Sequence, residues 1–421
     1  MVKLKYGLDT CACTITNATV LCPVCSPDLP PAENLIQAAL ARPLGTLPLN
    51  EIVRRGETVA IITSDITRYT GSEIYLPLVV AELNAAGIKD DDILIVIALG
   101  IHRQQTAAEH RKILGPLFGR ITVIDHDCDD PAQLVDLGVT ADGLSVQINR
   151  QVVAADRIIV TGTVGLHYFA GFGGGRKALV PGVASRATCM ATHYAIFNPP
   201  EIGGKQPGAK TGQLDGNPVH AVILAAAQHV HPDFILNTVL TPDKQLAGVF
   251  CGELEAAHLA ACQLAREIYT VALEEPAELA IVSCGGHPKD INFIQSHKAL
   301  DYGVNALLPG GTLILLAACP DGFGNATFFD WFRYQDLQEF ETALRANYEI
   351  NGQTAHATLD KARRFRVILI SHFNAEQTAR MGMEKAADLD AALQMAYDQL
   401  PPSPRTVIIP DGGTILPIMK T

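Results

Sequence analysis

The sequence predicts an α/β protein of two domains, each a mainly parallel sheet flanked by helices. Three observations carry this. The chain has 421 residues, too many for one small core, and 48% are hydrophobic, enough to fill two. Short runs rich in valine and isoleucine recur with helical stretches between them. Polar, chemistry-bearing loops fall at the ends of those runs, where open α/β sheets bind ligands.

In the N-terminal part TVAIIT (58–63), DILIVIAL (92–99), ITVID (121–125) and RIIVTG (157–162) read as strands buried on both faces. Between the first two, SEIYLPLVVAELNAAG opens at Ser72–Glu73 and stops at Gly87, as a helix does. SDITR (64–68) follows the first strand, GIHR (100–103) the second and residues 161–167 the fourth. Three polar loops thus converge on one edge. A second unit begins near Pro276, with strands in 277–286, 310–319 and 366–372 and a crossover helix over 296–308. The stretch 253–273 is expected to be a linking helix. The N-terminal domain is placed at 1–272 and the C-terminal α/β domain at 276–403, with 405–421 expected to return to the first.

A net charge of −12 argues against nucleic-acid partners, which want a basic surface. No apolar run reaches the roughly 18–20 residues of a membrane span. The start, MVKLKYGLDTCACT, lacks the apolar core of a secretion signal. The expectation is a cytoplasmic protein without membrane partners. Ten cysteines are too few for a disulfide scaffold. Cys11, Cys13, Cys22 and Cys25 suit either a four-thiolate zinc site or a pair of β-type segments with small buried thiols.

The densest chemistry lies in GLHYFAGFGGGRKALVPGVASRATCMATH (165–193). In GFGGGRKA (171–178) four glycines let backbone N–H groups approach an anion, and Arg176 and Lys177 add positive charge. The run matches neither GxxxxGK[ST] nor a dinucleotide-binding GxGxxG, so it is either a phosphate cradle of another kind or a ligand-free turn. His110, His220, His229 and His258 fall on expected helices and read as structural. His102 and His167 instead follow buried strands at the ligand edge, which suggests an acid/base pair on opposite faces of a substrate. His193 reads either as a metal ligand or as a structural imidazole.

HYFAGFGGGRKALVPG, preceded by SDITR and GIHRQQT and followed by a downstream histidine, resembles the nickel-dependent lactate racemase family. The YG near the start, AALARPLG (38–45), LDGNPVH (214–220) and QSHKALD (295–301) sit in family order, so the resemblance covers essentially the whole chain.

The resemblance implies a racemase or epimerase of a 2-hydroxy acid, with a cofactor cleft between the domains. Its cofactor is the nickel-pincer nucleotide, pyridinium-3,5-bisthiocarboxylic acid mononucleotide carrying Ni(II), loaded by cofactor-biosynthesis enzymes. By motif Lys177 is its covalent attachment point and His193 completes the nickel coordination. His102 and His167 match the catalytic histidines, and hydride passes reversibly between the substrate and the cofactor. Arg68, Gln295 and Lys298 match carboxylate-binding positions. Gly173, Gly174, Gly175 and Arg176 are expected to hold the cofactor phosphate. Asp65 and Thr67 are expected at the cofactor, with Asp65 orienting either it or a catalytic group.

Departures from the family pattern bear on the substrate. DxTRP ends here in Tyr69, CPDGFG (319–324) carries Asp321 in a usual glutamate place, and Ile294 precedes Gln295 where lactate-specific relatives carry an aromatic. Trp331, the only tryptophan, has no role readable from its position. Two other readings compete: an oxidoreductase using free NAD(P), and a catalytically silent cofactor-binding homologue. Thermal shift with NAD(P) and no nickel would favour the first, and cofactor binding without turnover the second.

Overall fold

A computed structural model describes residues 1–15, 17–23 and 28–420. The chain forms two compact units: Cys25–Asn198 with Lys205–Ile268, and Met1–Val24 with Pro199–Gly204 and Tyr269–Thr421. Each is built on a six-stranded sheet. Among the described residues no helix is long and apolar enough to cross a membrane.

In the first unit the strand order is Leu246–Gly252, Phe234–Leu240, Arg157–Thr163, Val59–Ser64, Ile93–Ala98, Thr122–Asp125. All pairs are parallel except the edge pair Phe234–Leu240 with Leu246–Gly252. Val59–Ser64 is buried along nearly its whole length because helices cover both faces of the sheet. Ile61, Ile95, Ile159 and Leu236 pack with Tyr75, Val79 and Leu83 of the helix Ser72–Ala85. Each such buried aliphatic side chain stabilises by about 1.5–3 kcal/mol. The chain runs outward from Val59–Ser64 to one edge, then returns to Arg157–Thr163 on its other side. That reversal makes a crevice at the carboxyl ends of the two central strands, the place where such sheets bind ligands. A buried hydroxyl cluster fastens it: Tyr75 Oη lies 2.9 Å from Thr70 Oγ1, 3.0 Å from Thr161 Oγ1 and 3.2 Å from Thr63 Oγ1.

The second unit has the all-parallel order Glu384–Ala386, Arg366–Ile370, Leu307–Leu316, Ala277–Ser283, Thr406–Ile409, Ala18–Val20. Two boundaries differ from expectation. Residues 405–421 do not return to the first domain: Thr406–Ile409 is apolar on both faces and inserts between Ala277–Ser283 and Ala18–Val20, and Leu416–Met419 pairs with Thr270–Leu273. The first 24 residues join this unit as well, and Pro199–Gly204 is tied to it by hydrogen bonds of 2.8–2.9 Å from Gly204 N–H to the Glu341 carboxylate. The expected linking helix ends at Tyr269, after which Thr270–Leu273 is a strand.

Cys11 and Cys13 lie two apart on the strand Asp9–Cys13 and pack on the apolar core of this unit, while Cys22 is exposed. Cys25 lies outside the described residues. Among the described residues, the one group of three acid, thiol or imidazole ligands close enough to share a metal is Asp127, Cys128 and Asp129. Trp331 is structural: it stacks on Phe340 at 5.7 Å, donates to Glu349 at 3.1 Å and leaves no room for a Cβ at Gly352.

Candidate active site

The loops after Val59–Ser64 and Ile93–Ala98 meet first. Asp65 is buried and accepts from the N–H and Oγ1–H of Thr67 at 2.8 and 2.5 Å, a tight turn closed by Arg68 N–H on the Asp65 carbonyl at 3.1 Å. Its other oxygen lies 2.5 Å from His102 Nδ1. Burial pushes the Asp65 carboxyl up, but the hydrogen bonds from His102 and Thr67 prevail and hold it below its usual range. The imidazole therefore carries its proton on Nδ1, and Nε2 presents a lone pair. The His102 side chain is 42% exposed, so a proton on an incoming ligand can reach it. Thr67 is engaged with Asp65 and serves the turn. Gln105 joins the two loops: its side chain accepts from Ile66 N–H at 3.1 Å, and its own N–H donates to Asp125 at 2.6 Å.

His167 sits on a two-strand hairpin, Leu166–His167 with Gly171–Phe172. Ala170 N–H points at its Nδ1, 3.3 Å away. The hairpin is clamped from outside. A Cβ on Gly171 would lie 2.1 Å from the Gln213 carbonyl, so only glycine permits this approach. Asn217 Nδ2 donates to Phe169 and Gln213 carbonyls at 2.9 Å, while its Oδ1 caps the helix Pro218–Val230. The LDGNPVH run is therefore a structural brace.

Phe169, buried, gathers the rest. Its ring meets His167 edge-on at 4.5 Å and His193 at 5.2 Å, and Lys177 Nζ lies 5.8 Å from its centre. His193 ends the helix Arg186–Tyr194 and is buried, with Nδ1–H donating to the Cys189 carbonyl at 2.8 Å. Burial, with the charges of Lys177 and Arg68, pushes its pKa down to about 3. A neutral imidazole anchored through Nδ1 leaves Nε2 for coordination, the state a metal ligand needs. Burial, with Arg176 and Arg68 nearby, pushes the Lys177 amine down to about 7. An amine that sheds its proton near neutrality is a nucleophile.

The glycine loop is another matter. Gly173 N–H donates to the Gly165 carbonyl at 2.8 Å and Gly175 N–H to Asn237 Oδ1 at 2.8 Å. Gly174 has φ of +69°, and a Cβ there would lie 2.5 Å from Val164. Arg176 is 1% exposed, turned inward and bonded to protein groups. In this structure Gly173, Gly175 and Arg176 are committed to the loop itself, contrary to the expected phosphate grip. The glycines allow close packing of the loop against Val164, Asn237 and His258.

Gln295 and Lys298 belong to the other unit, on the helix Phe293–Gly303. Three apart, both are exposed on one side, and Asn292 caps the helix by accepting Gln295 N–H at 3.0 Å. The CPDGFG turn packs on this first helical turn through Phe293 N–H to the Gly322 carbonyl and Ile294 N–H to the Phe323 carbonyl.

Sequence reasoning missed Phe169, Gln105 and Asn217, and set His258 aside. An aromatic beside a histidine is too common a pattern to single out, and the other three act through partners far away in the chain.

Residues 6–203 match the family model of the lactate racemase N-terminal domain, and residues 272–416 that of the lactate racemase C-terminal domain. The chain is 33% identical to a lactate racemase of Thermoanaerobacterium thermosaccharolyticum, over 91% of this chain and 90% of that one. It is 31% identical to one of Lactiplantibacillus plantarum, over 90% and 89%. The solved lactate racemase apoprotein of the former organism superposes with a TM-score of 0.89 at 31% identity, covering all of both chains. A Thermotoga maritima structure at 19% identity and TM-score 0.65 shares the fold. With family models matching most of its length and relatives above 30% identity along nine-tenths of it, the chain belongs to the lactate racemase family.

Proposed function

We propose that this chain racemises or epimerises a 2-hydroxy acid, lactate or a related compound, with His102 and His167 as the acid/base pair and a nickel-pincer nucleotide held by Lys177 and His193. The observation that carries the reading is the grouping around Phe169: a lowered-pKa lysine, a buried neutral histidine and a second histidine meet one ring.

The residues fit the nucleotide at two points. Lys177 has the amine chemistry for covalent attachment, and His193 offers an anchored, neutral nitrogen to a soft-ligated Ni(II). They do not fit it at Arg176 and the N–H groups of Gly173 and Gly175, so its phosphate is assigned to other donors. When bound, the cofactor supplies a reversible hydride acceptor.

Everything else falls to side chains. Asp65 holds the His102 ring and stabilises it once protonated, so Nε2 can take the substrate hydroxyl proton. His167 exchanges a proton on the opposite face, which a racemase needs because each enantiomer presents its O–H on a different side. Arg68, in the same turn as Asp65, supplies the cation for the substrate carboxylate. Phe169 packs against His193, and both are buried from water.

The test is coexpression with cofactor-making enzymes, followed by intact mass, nickel analysis and optical rotation on single-enantiomer 2-hydroxy acids. The reading expects about one nickel per chain, a mass increment on Lys177 and racemisation of at least one acid. A bare lysine, under conditions that load a known family member, sinks it.

A further inference from the structure

Arg176 is a buried guanidinium with no carboxylate partner among the described residues. Burying a charge this way costs several kcal/mol unless strong hydrogen bonds compensate, so its contacts must matter to the fold or the site. Nη1 lies 2.7 Å from His258 Nε2, and Nη2 donates to the Ala170 and Phe172 carbonyls at 3.3 and 3.4 Å. His258 Nε2 also lies 3.0 Å from the Gly173 carbonyl. A guanidinium only donates and a carbonyl only accepts, so the neutral ring bonds Arg176 with its proton on Nδ1 and Gly173 with its proton on Nε2. Burial and the Arg176 charge hold His258 well below its ordinary pKa, consistent with a neutral ring. Ala170 and Phe172 belong to the hairpin that presents His167, and Ala170 N–H is the group facing His167 Nδ1. The ring of His258 also lies within 2.9 Å of where a Gly175 Cβ would stand, directly under the loop leading to Lys177.

We infer that Arg176 and His258 form a buried clamp that positions His167 relative to Lys177, acting on turnover through the hairpin and touching neither substrate nor cofactor. Lys177 follows Arg176 directly in the helical turn Arg176–Leu179, so one guanidinium fixes the backbone on both sides of the site. The inference builds on the proposed roles of His167 and Lys177, so its test has an arm that needs neither nickel nor substrate.

His258→Gln keeps an acceptor near the Nε2 position, and His258→Ala removes it. In the apoprotein, hydrogen exchange of the 166–172 segment is expected to speed up by about 10-fold or more in H258A and to stay near wild type in H258Q. In nickel-loaded protein H258A is expected to lose about 10–100-fold in kcat, with KM within about twofold and nickel content unchanged, because a misplaced catalytic group costs that much. H258Q should recover most of it. Arg176→Lys, which keeps the charge and loses the fork, should follow H258A. Nickel lost in parallel with activity would instead mean a cofactor grip, and unchanged exchange in a folded H258A would overturn the clamp. If H258A does not fold, H258Q and R176K decide: equal exchange in both overturns it. Faster exchange in H258A from protein that never racemises would leave the clamp standing and remove the racemase reading.

Discussion

His102 and His167 both follow strands of the same sheet edge, yet they are held by different forces. His102 is exposed and fixed by one short, charge-assisted bond to a buried carboxylate. His167 is half-buried, set by a backbone N–H and by aromatic rings on either side, Tyr168 stacked at 5.7 Å and Phe169 edge-on. Electrostatics orients the first and packing the second. The difference teaches that equivalent chemical duties do not require equivalent supports. One support fails when a single proton or oxygen is changed, the other when volume is.

The largest effects test the duties themselves. His102→Ala and His167→Ala should each lower kcat by about 10²–10⁴-fold while keeping nickel, measured by optical rotation and metal analysis on the same samples. Lys177→Ala and His193→Ala should lose the metal instead. Asp65→Asn comes next. It keeps the shape but no longer holds the proton on His102 Nδ1, so kcat should fall by about 10²–10³-fold with an unchanged melting temperature. A loss of nickel there would move Asp65 to the cofactor.

Phe169→Leu tests the packing side. It should cost roughly 1–3 kcal/mol of stability, checked by calorimetry or denaturant unfolding, and kcat should drop about tenfold through His167. If Phe169→Leu leaves turnover intact, the rings are not what hold that histidine.

The smallest effects concern Lys177. With its amine lowered to about 7, acylation of Lys177 in the apoprotein, read by peptide mass, should reach half its maximal rate near pH 7. An ordinary lysine does so near pH 10.4. The sign for stability follows from the same shift. Between about pH 7 and the ordinary lysine value the folded state binds fewer protons than the unfolded, so this residue's burden on stability eases as pH rises and is complete below about 7. Lys177→Met should therefore raise the apoprotein melting temperature at pH 7 by a few degrees, roughly 2–4 °C per kcal/mol relieved. The gain should shrink toward pH 10.

Much of this was legible in the chain. The strands 58–63, 92–99, 121–125 and 157–162 lie within a residue or two of where the runs of valine and isoleucine place them. The first, second and fourth are largely buried, with no polar position to blur their ends. Thr122–Asp125 is instead an edge strand, exposed to half-buried rather than buried on both faces as expected. The His102 and His167 loops were readable for the same reason: they begin where the apolar run stops. The hairpin Phe234–Leu240 and Leu246–Gly252 was not, since Asn237 and Thr238 interrupt its apolar pattern. Those two residues are polar because they serve distant backbone, Gly175 N–H and the Thr70 carbonyl.

By itself the sequence determined the parallel strands with continuous apolar runs and the family, and pointed to the loops proposed to carry chemistry, since these rest on local pattern and residue identity. Only the tertiary structure decided who pairs with whom. Thr406–Ile409 reads alike whichever sheet accepts it, and its partners are settled by which edges remain open. Likewise Arg176 looks like a phosphate ligand beside three glycines, but its direction depends on His258, 82 residues away, and on carbonyls that only the folded hairpin brings within reach. Local spacing encodes what a residue can do; burial and long-range contacts decide what it does.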